Sequence, residues 1–103
     1  MMGFPKRFKL ANRTWRVKLV TFAQLSRKLA REGIEPASGV TDPNNATIWI
    51  AKDLDPGLVE HTFYHELVHA LKYARGEVDH DEVEVDGLGA LLHQYIISRR
   101  GEQ

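Results

Sequence analysis

A chain of 103 residues with 43% apolar and 27% charged residues has the size and make-up of one soluble globular domain with a modest core. Its formal net charge is zero, yet residues 1–31 hold nine Lys or Arg and no acid, while the remainder holds five basic and fourteen acidic residues. The absence of cysteine excludes disulfides and thiolate metal sites, and no apolar run approaches the roughly 20 residues needed to span a membrane.

In chain order, Phe8–Leu10 and Thr14–Leu19 read as two strands around an Ala11-Asn12-Arg13 turn, with Trp15, Val17 and Leu19 on one face. Thr21 can cap a helix from about Phe22 to Arg31, turning Phe22, Leu25, Leu29 and Ala30 inward and ending at Gly33. Pro36 to Gly39 reads as loop, and a short strand around Val40 precedes the turn Asp42-Pro43-Asn44-Asn45. Thr47-Ile48-Trp49-Ile50-Ala51 is a clear strand. Asp55 as N-cap, Pro56 at the first helical position and Gly76 as the stop then frame a long helix, with Leu58, Thr62, Leu67, Ala70, Leu71 and Ala74 as its apolar positions. A last helix runs from about Asp81 to Arg99, with Val85, Leu88, Leu92, Tyr95 and Ile96 on one face. Gly87 and Gly89 weaken it but let another helix come close.

No repeat or interdomain linker interrupts this pattern, so the expectation is one α+β domain over residues 1–103: a small, mostly antiparallel sheet packed on the two C-terminal helices. Met1 to Lys9 contains no apolar segment of a secretory leader. A cytoplasmic monomer that does not engage membranes is expected.

The chemistry concentrates in His65-Glu66-Leu67-Val68-His69, an H-E-x-x-H sequence. On a helix, histidines at i and i+4 share a face one turn apart, so both imidazoles can reach one metal ion. Glu66 then stands beside the open coordination position as a general base. Without cysteine, a zinc ion (Zn2+) would rest on His and carboxylate ligands, the pattern of catalytic sites with three protein ligands and a water.

The third ligand must come from elsewhere, and the acidic start of the last helix offers several. Glu82 and Asp86 share a helical face as E-x-x-x-D, so Glu82 could ligate while Asp86 holds a histidine by its other ring nitrogen. Glu84, His80 and Asp81 are the alternatives. The ordinary reading of such a cluster is an acidic first turn favoured by the helix dipole. His61, one turn before His65, could be an accessory ligand or a supporting donor but reads more readily as a solvated histidine, and His93 reads as a partly buried or surface helix residue. Tyr64 and Tyr73 flank the motif, where either could stabilise an oxyanion, although packing is the commoner role.

From Thr47 to Leu92 the chain resembles the minimal core of the zincin metallopeptidases: an edge strand (Thr47-Ile48-Trp49-Ile50), an H-E-x-x-H helix and a following helix with an acidic ligand. It is similar to the glutamate-ligand branch, the gluzincins, whose H-E-x-x-H and E-x-x-x-D map onto His65, Glu66, His69, Glu82 and Asp86. Thr62 to Leu71, T-F-x-H-E-L-x-H-A-L, resembles small phage and prophage proteins of the zincin-like type. Twelve residues separate His69 from Glu82, fewer than in large gluzincins. The resemblance implies a zinc metallopeptidase with His65, His69 and Glu82 as ligands and Glu66 activating the attacking water. It further implies that the Thr47–Ala51 strand pairs with an extended peptide or protein substrate.

Two other readings follow. A non-catalytic zinc-binding or inhibitory interaction protein would have its groove closed by Arg99 to Gln103. A nucleic-acid-associated metalloprotein, resembling the SprT-like proteases, would use His80 as third ligand and basic residues 6–31 for recognition.

Overall fold

The computed structural model describes residues 3–100. Ala11 and Asn12 both take positive φ (50° and 64°), the backbone of a two-residue hairpin turn. The turn therefore ends at Asn12, and Arg13 joins the second strand rather than the loop. β1 (Arg7–Leu10) and β2 (Arg13–Val20) are the resulting antiparallel pair. Thr21 then closes a capping box: its hydroxyl accepts from the Gln24 backbone N–H and the Gln24 side chain accepts from the Thr21 N–H. This starts α1 (Phe22–Arg31), which crosses one face of the sheet.

The chain returns as β3 (Gly39–Asp42) and reverses into β4 (Thr47–Ala51) through a turn in which Asp42 Oδ1 accepts from the Asn44 and Asn45 N–H groups. β4 lies parallel to β2 and antiparallel to β3, giving a mixed sheet of order β1-β2-β4-β3. The sheet is mostly antiparallel, as expected, with one parallel pair, β2 with β4, joined by the crossover through α1. One expectation is corrected here: β4 is an interior strand, and the edge beside it is β3. The reason is legible in Thr47-Ile48-Trp49-Ile50-Ala51, which is apolar on both faces: Ile48 and Ile50 pack under α2 (Pro56–Ala74), whereas Ala51 and Trp49 pack under α1.

The larger core joins Trp15, Ile48 and Ile50 of the sheet to Val59, Phe63, Tyr64 and Ala70 of α2, and a smaller one joins Leu25 and Leu29 to Ala51. Phe22 and Ala30, expected inward, are exposed, since the buried side chains that α1 sets on the sheet are Leu25 and Leu29. α2 begins as expected, with Asp55 Oδ2 accepting from the Gly57 and Leu58 N–H groups and Pro56 in the first turn. Its buried stripe differs from the expected one: Val59, Phe63 and Val68 are inside, while Leu58, Leu71 and Ala74 are exposed. A helix covered by a sheet on one side and a helix on another has no single apolar stripe.

That second helix is α3 (Glu82–Arg100), capped by Asp81, whose Oδ1 accepts from the Val83 N–H at 3.0 Å. Val85 and Gly89 are buried against α2 and Leu92 and Ile96 half-buried, whereas Leu88 and Tyr95 face outward. Gly89 sets the approach. A Cβ there would lie 2.9 Å from the Cα and 3.1 Å from the N of His65. The far end of the helix pair is tied by Glu60, which accepts from Arg100 at 2.7 Å and meets His93 Nε2 at 2.9 Å. Burial pushes the Glu60 carboxyl up, but these two partners outweigh it and hold it below the usual carboxylate range.

Candidate metal centre

Within α2, His65 and His69 project from one face, and the α2–α3 contact at Gly89 places the first turn of α3 against them. Glu82 Oε1 lies 3.6 Å from His65 Nε2, and Glu82 Oε2 lies 3.4 Å from His69 Nε2. One ligand atom from each of the three residues falls within 4.8 Å of the other two, a group that could hold a metal ion. Zinc bonds of roughly 2.0–2.1 Å in tetrahedral geometry put neighbouring ligand atoms about 3.4 Å apart. The separations of 3.6 and 3.4 Å, one to each Glu82 oxygen, are of that size.

The outer ring nitrogens are also engaged. Asp86 Oδ1 is 3.3 Å from His65 Nδ1, which leaves Nε2 turned toward Glu82. His80 meets His69 through their Nδ1 atoms at 2.7 Å, and His80 Nε2 is 2.9 Å from the Glu77 carbonyl. A carbonyl only accepts, so His80 donates from Nε2 and, as the neutral ring, accepts at Nδ1. His69 must then carry its proton on Nδ1, which leaves the Nε2 lone pair for a metal. Burial and the neighbouring His65 and His80 pull the His69 pKa down, against the upward pull of Glu82, and this favours the neutral, ligating ring. His80→Ala is therefore expected to weaken zinc binding by about 10–100-fold, as loss of such supporting partners does elsewhere. Competition against a chromophoric chelator would measure this, and an unchanged affinity would remove His80 from the role.

The alternatives for the third ligand are placed elsewhere. Glu84 is ion-paired with Lys72, His80 stands behind His69, and Asp81 caps α3. Tyr64 is buried, with its hydroxyl donating to the Gly3 carbonyl at 2.9 Å, and so is turned away from the cluster. The Tyr73 ring packs 4.4 Å from that of His80. His61 touches only the periphery, 3.9 Å from Asp86, and His93 belongs to the Glu60 network.

Glu66 is 7% exposed, on the β3 side of α2. Its Oε1 accepts from the Thr41 hydroxyl at 2.7 Å. Burial raises its pKa, and Glu82 adds to the rise; the Thr41 hydrogen bond and His65 oppose it. Thr41 and Gly39 escape sequence reasoning, because nothing local links β3 to α2. Gly39 is needed for the contact: a Cβ there would meet Thr62 Cγ2 at 2.6 Å, the Trp49 carbonyl at 3.1 Å and Glu66 Cγ at 3.2 Å. A cavity of about 260 Å³ opens alongside, lined by Ser38, Gly39, His61, His65, Glu66 and Asp86 among others.

At the opposite end of α3, Arg99 lies over the Tyr95 ring and Arg100 binds Glu60 and the Gly3 carbonyl. Closure of the groove by Arg99 to Gln103 thus finds no support in Arg99 or Arg100, and residues 101–103 lie outside the described residues. No described helix is long and apolar enough to cross a membrane. The chain matches no protein-family model, no curated protein and no solved structure.

Proposed function

We propose that the chain is a zinc-dependent metallopeptidase of the minimal gluzincin type, with His65, His69 and Glu82 as the metal ligands and Glu66 as the general base. The observation that carries this reading is the buried Glu66 carboxylate next to a three-residue ligand group whose outer nitrogens are already held by Asp86 and His80. A metal ion bound there would act as a Lewis acid and bring the pKa of a coordinated water toward about 7.

Glu66 takes the proton of the attacking water and passes it to the leaving amine. Thr41 keeps the Glu66 carboxylate aimed by donating its one hydroxyl proton to Oε1 at 2.7 Å, with the Glu66 backbone carbonyl 3.1 Å from the same hydroxyl oxygen. An extended peptide would pair with the outer edge of β3, not with β4, since β4 is hydrogen-bonded on both sides and β3 on one. That edge runs directly beside Glu66.

Metal content tests the reading first. The native chain, supplied with zinc at neutral pH, is expected to hold about one ion per chain by mass spectrometry, and His65→Ala is expected to lose it. Cleavage of a peptide library by the loaded native chain then reads the activity. A native chain that takes up no zinc would overturn the proposal.

A further inference from the structure

Trp15, Val17 and Leu19 turn toward α2, so Arg16 and Lys18 between them face the other side of the sheet. Residues directly opposite on paired strands share a face. Arg7 stands opposite Arg16, and Lys9 opposite Thr14, so Arg7, Lys9, Arg16 and Lys18 form one basic array. α1 covers this face only over Val20, Val40, Trp49 and Ala51, and all four cations are exposed. Like charges placed opposite one another destabilise a sheet. Arg7 and Arg16 are so placed, and none of the four has an ion pair among the described residues. On the same face Asp42 stands beyond Thr47, two strands from Arg16, and accepts from the Asn44 and Asn45 N–H groups; near α1, Glu32 pairs with Lys28 and Asp53 accepts from the Phe22 N–H.

An uncompensated grid of cations, spaced about 7 Å along a strand and about 5 Å across it, suits a partner whose negative charges repeat regularly. We propose that this face binds nucleic acid through its phosphate backbone, without preference for base sequence. Trp49 offers no open ring for base stacking, because it is half-buried with Lys18 and Lys28 ammonium groups 4.9 and 5.0 Å from its centroid. Contacts therefore fall to phosphates, which position a protein but carry no sequence information. The metal group lies on the opposite side of the sheet, so this inference stands whether or not the chain is a peptidase.

The test is binding of the full chain to labelled mixed-sequence DNA and RNA across a salt series. Four phosphate contacts predict a log–log salt slope of about −3.6, hence about 10²-fold weaker binding at 200 mM than at 50 mM salt. Arg7→Gln, Lys9→Gln, Arg16→Gln and Lys18→Gln should each reduce the slope by about 0.9, Arg16→Lys should retain it, and Arg99→Gln on α3 should leave it unchanged. Each variant is read alone, with circular dichroism verifying its fold. Binding that ignores salt, or a slope untouched by all four substitutions, would overturn the proposal. So would binding only to poly-glutamate or to phosphatidylserine vesicles.

Discussion

Glu66→Gln is expected to lower turnover of a peptide that the native chain cleaves by about 10²–10⁴-fold, the usual contribution of a positioned general base. Zinc content should stay at the native level. The substitution keeps the size of the side chain and an oxygen to accept from Thr41, so the helix and the neighbouring His65 and His69 need not move. What it removes is proton acceptance, which matters only as the water attacks. The loss should therefore appear in kcat and kcat/KM together, with KM little altered. Metal analysis beside steady-state kinetics separates the cases. Turnover retained with full zinc would show that Glu66 is not the base, whereas turnover lost together with zinc would mean that the variant had disturbed the ligands.

Gly89→Ala is expected to destabilise the fold by about 1–2 kcal/mol, even though alanine is the better helix former by up to about 1 kcal/mol. The new methyl would meet backbone rather than a flexible side-chain tip: His65 Cα at 2.9 Å, His65 N at 3.1 Å and the Tyr64 carbonyl at 3.3 Å. α3 must then move outward from α2, and Asp86 and Glu82, one and two turns back on the same face, move with it. Zinc affinity should fall by at least about tenfold for this reason, through a residue that touches no metal. Gly87→Ala provides the contrast. It meets nothing within 4 Å and should melt at or above the native temperature with unchanged zinc binding. Thermal melts and zinc titrations of the two variants would distinguish a steric effect at one position from a general effect of glycine in this helix. Equal behaviour of the two would refute the close-approach argument.

Much of the secondary structure was legible because its signals act within a few residues. Thr21 with Gln24, Asp55 with Pro56 and the positive φ of Gly76 (89°) each act over a turn or less, and the helix limits follow from them. The juxtaposition of His65 and His69 is local as well, a consequence of i, i+4 spacing on one helix. Choosing among Glu82, Glu84 and His80 was beyond such reasoning. All three lie within a few residues, and which one meets the histidines depends on the rotation and closeness of α3 against α2. Gly89 fixes the closeness, while the Lys72 pairing draws Glu84 aside.

The strand next to Glu66 is the clearest case of what sequence order conceals. Thr47–Ala51 lies nearest the H-E-x-x-H helix in the chain, and the zincin resemblance makes it the expected substrate edge. In the folded chain it is interior, and the weak four-residue strand Gly39–Asp42 is the edge that sends Thr41 to Glu66. The helices, their caps, the pair of histidines and the charge division at residue 31 could be read from the amino-acid order, because these depend on neighbours along the chain or on composition. The strand order, the partner of Glu66, the carboxylate that meets both histidines and the uncovered face on which four cations gather emerge on folding. Those depend on which surfaces are buried against each other, a long-range balance of packing that no local pattern encodes.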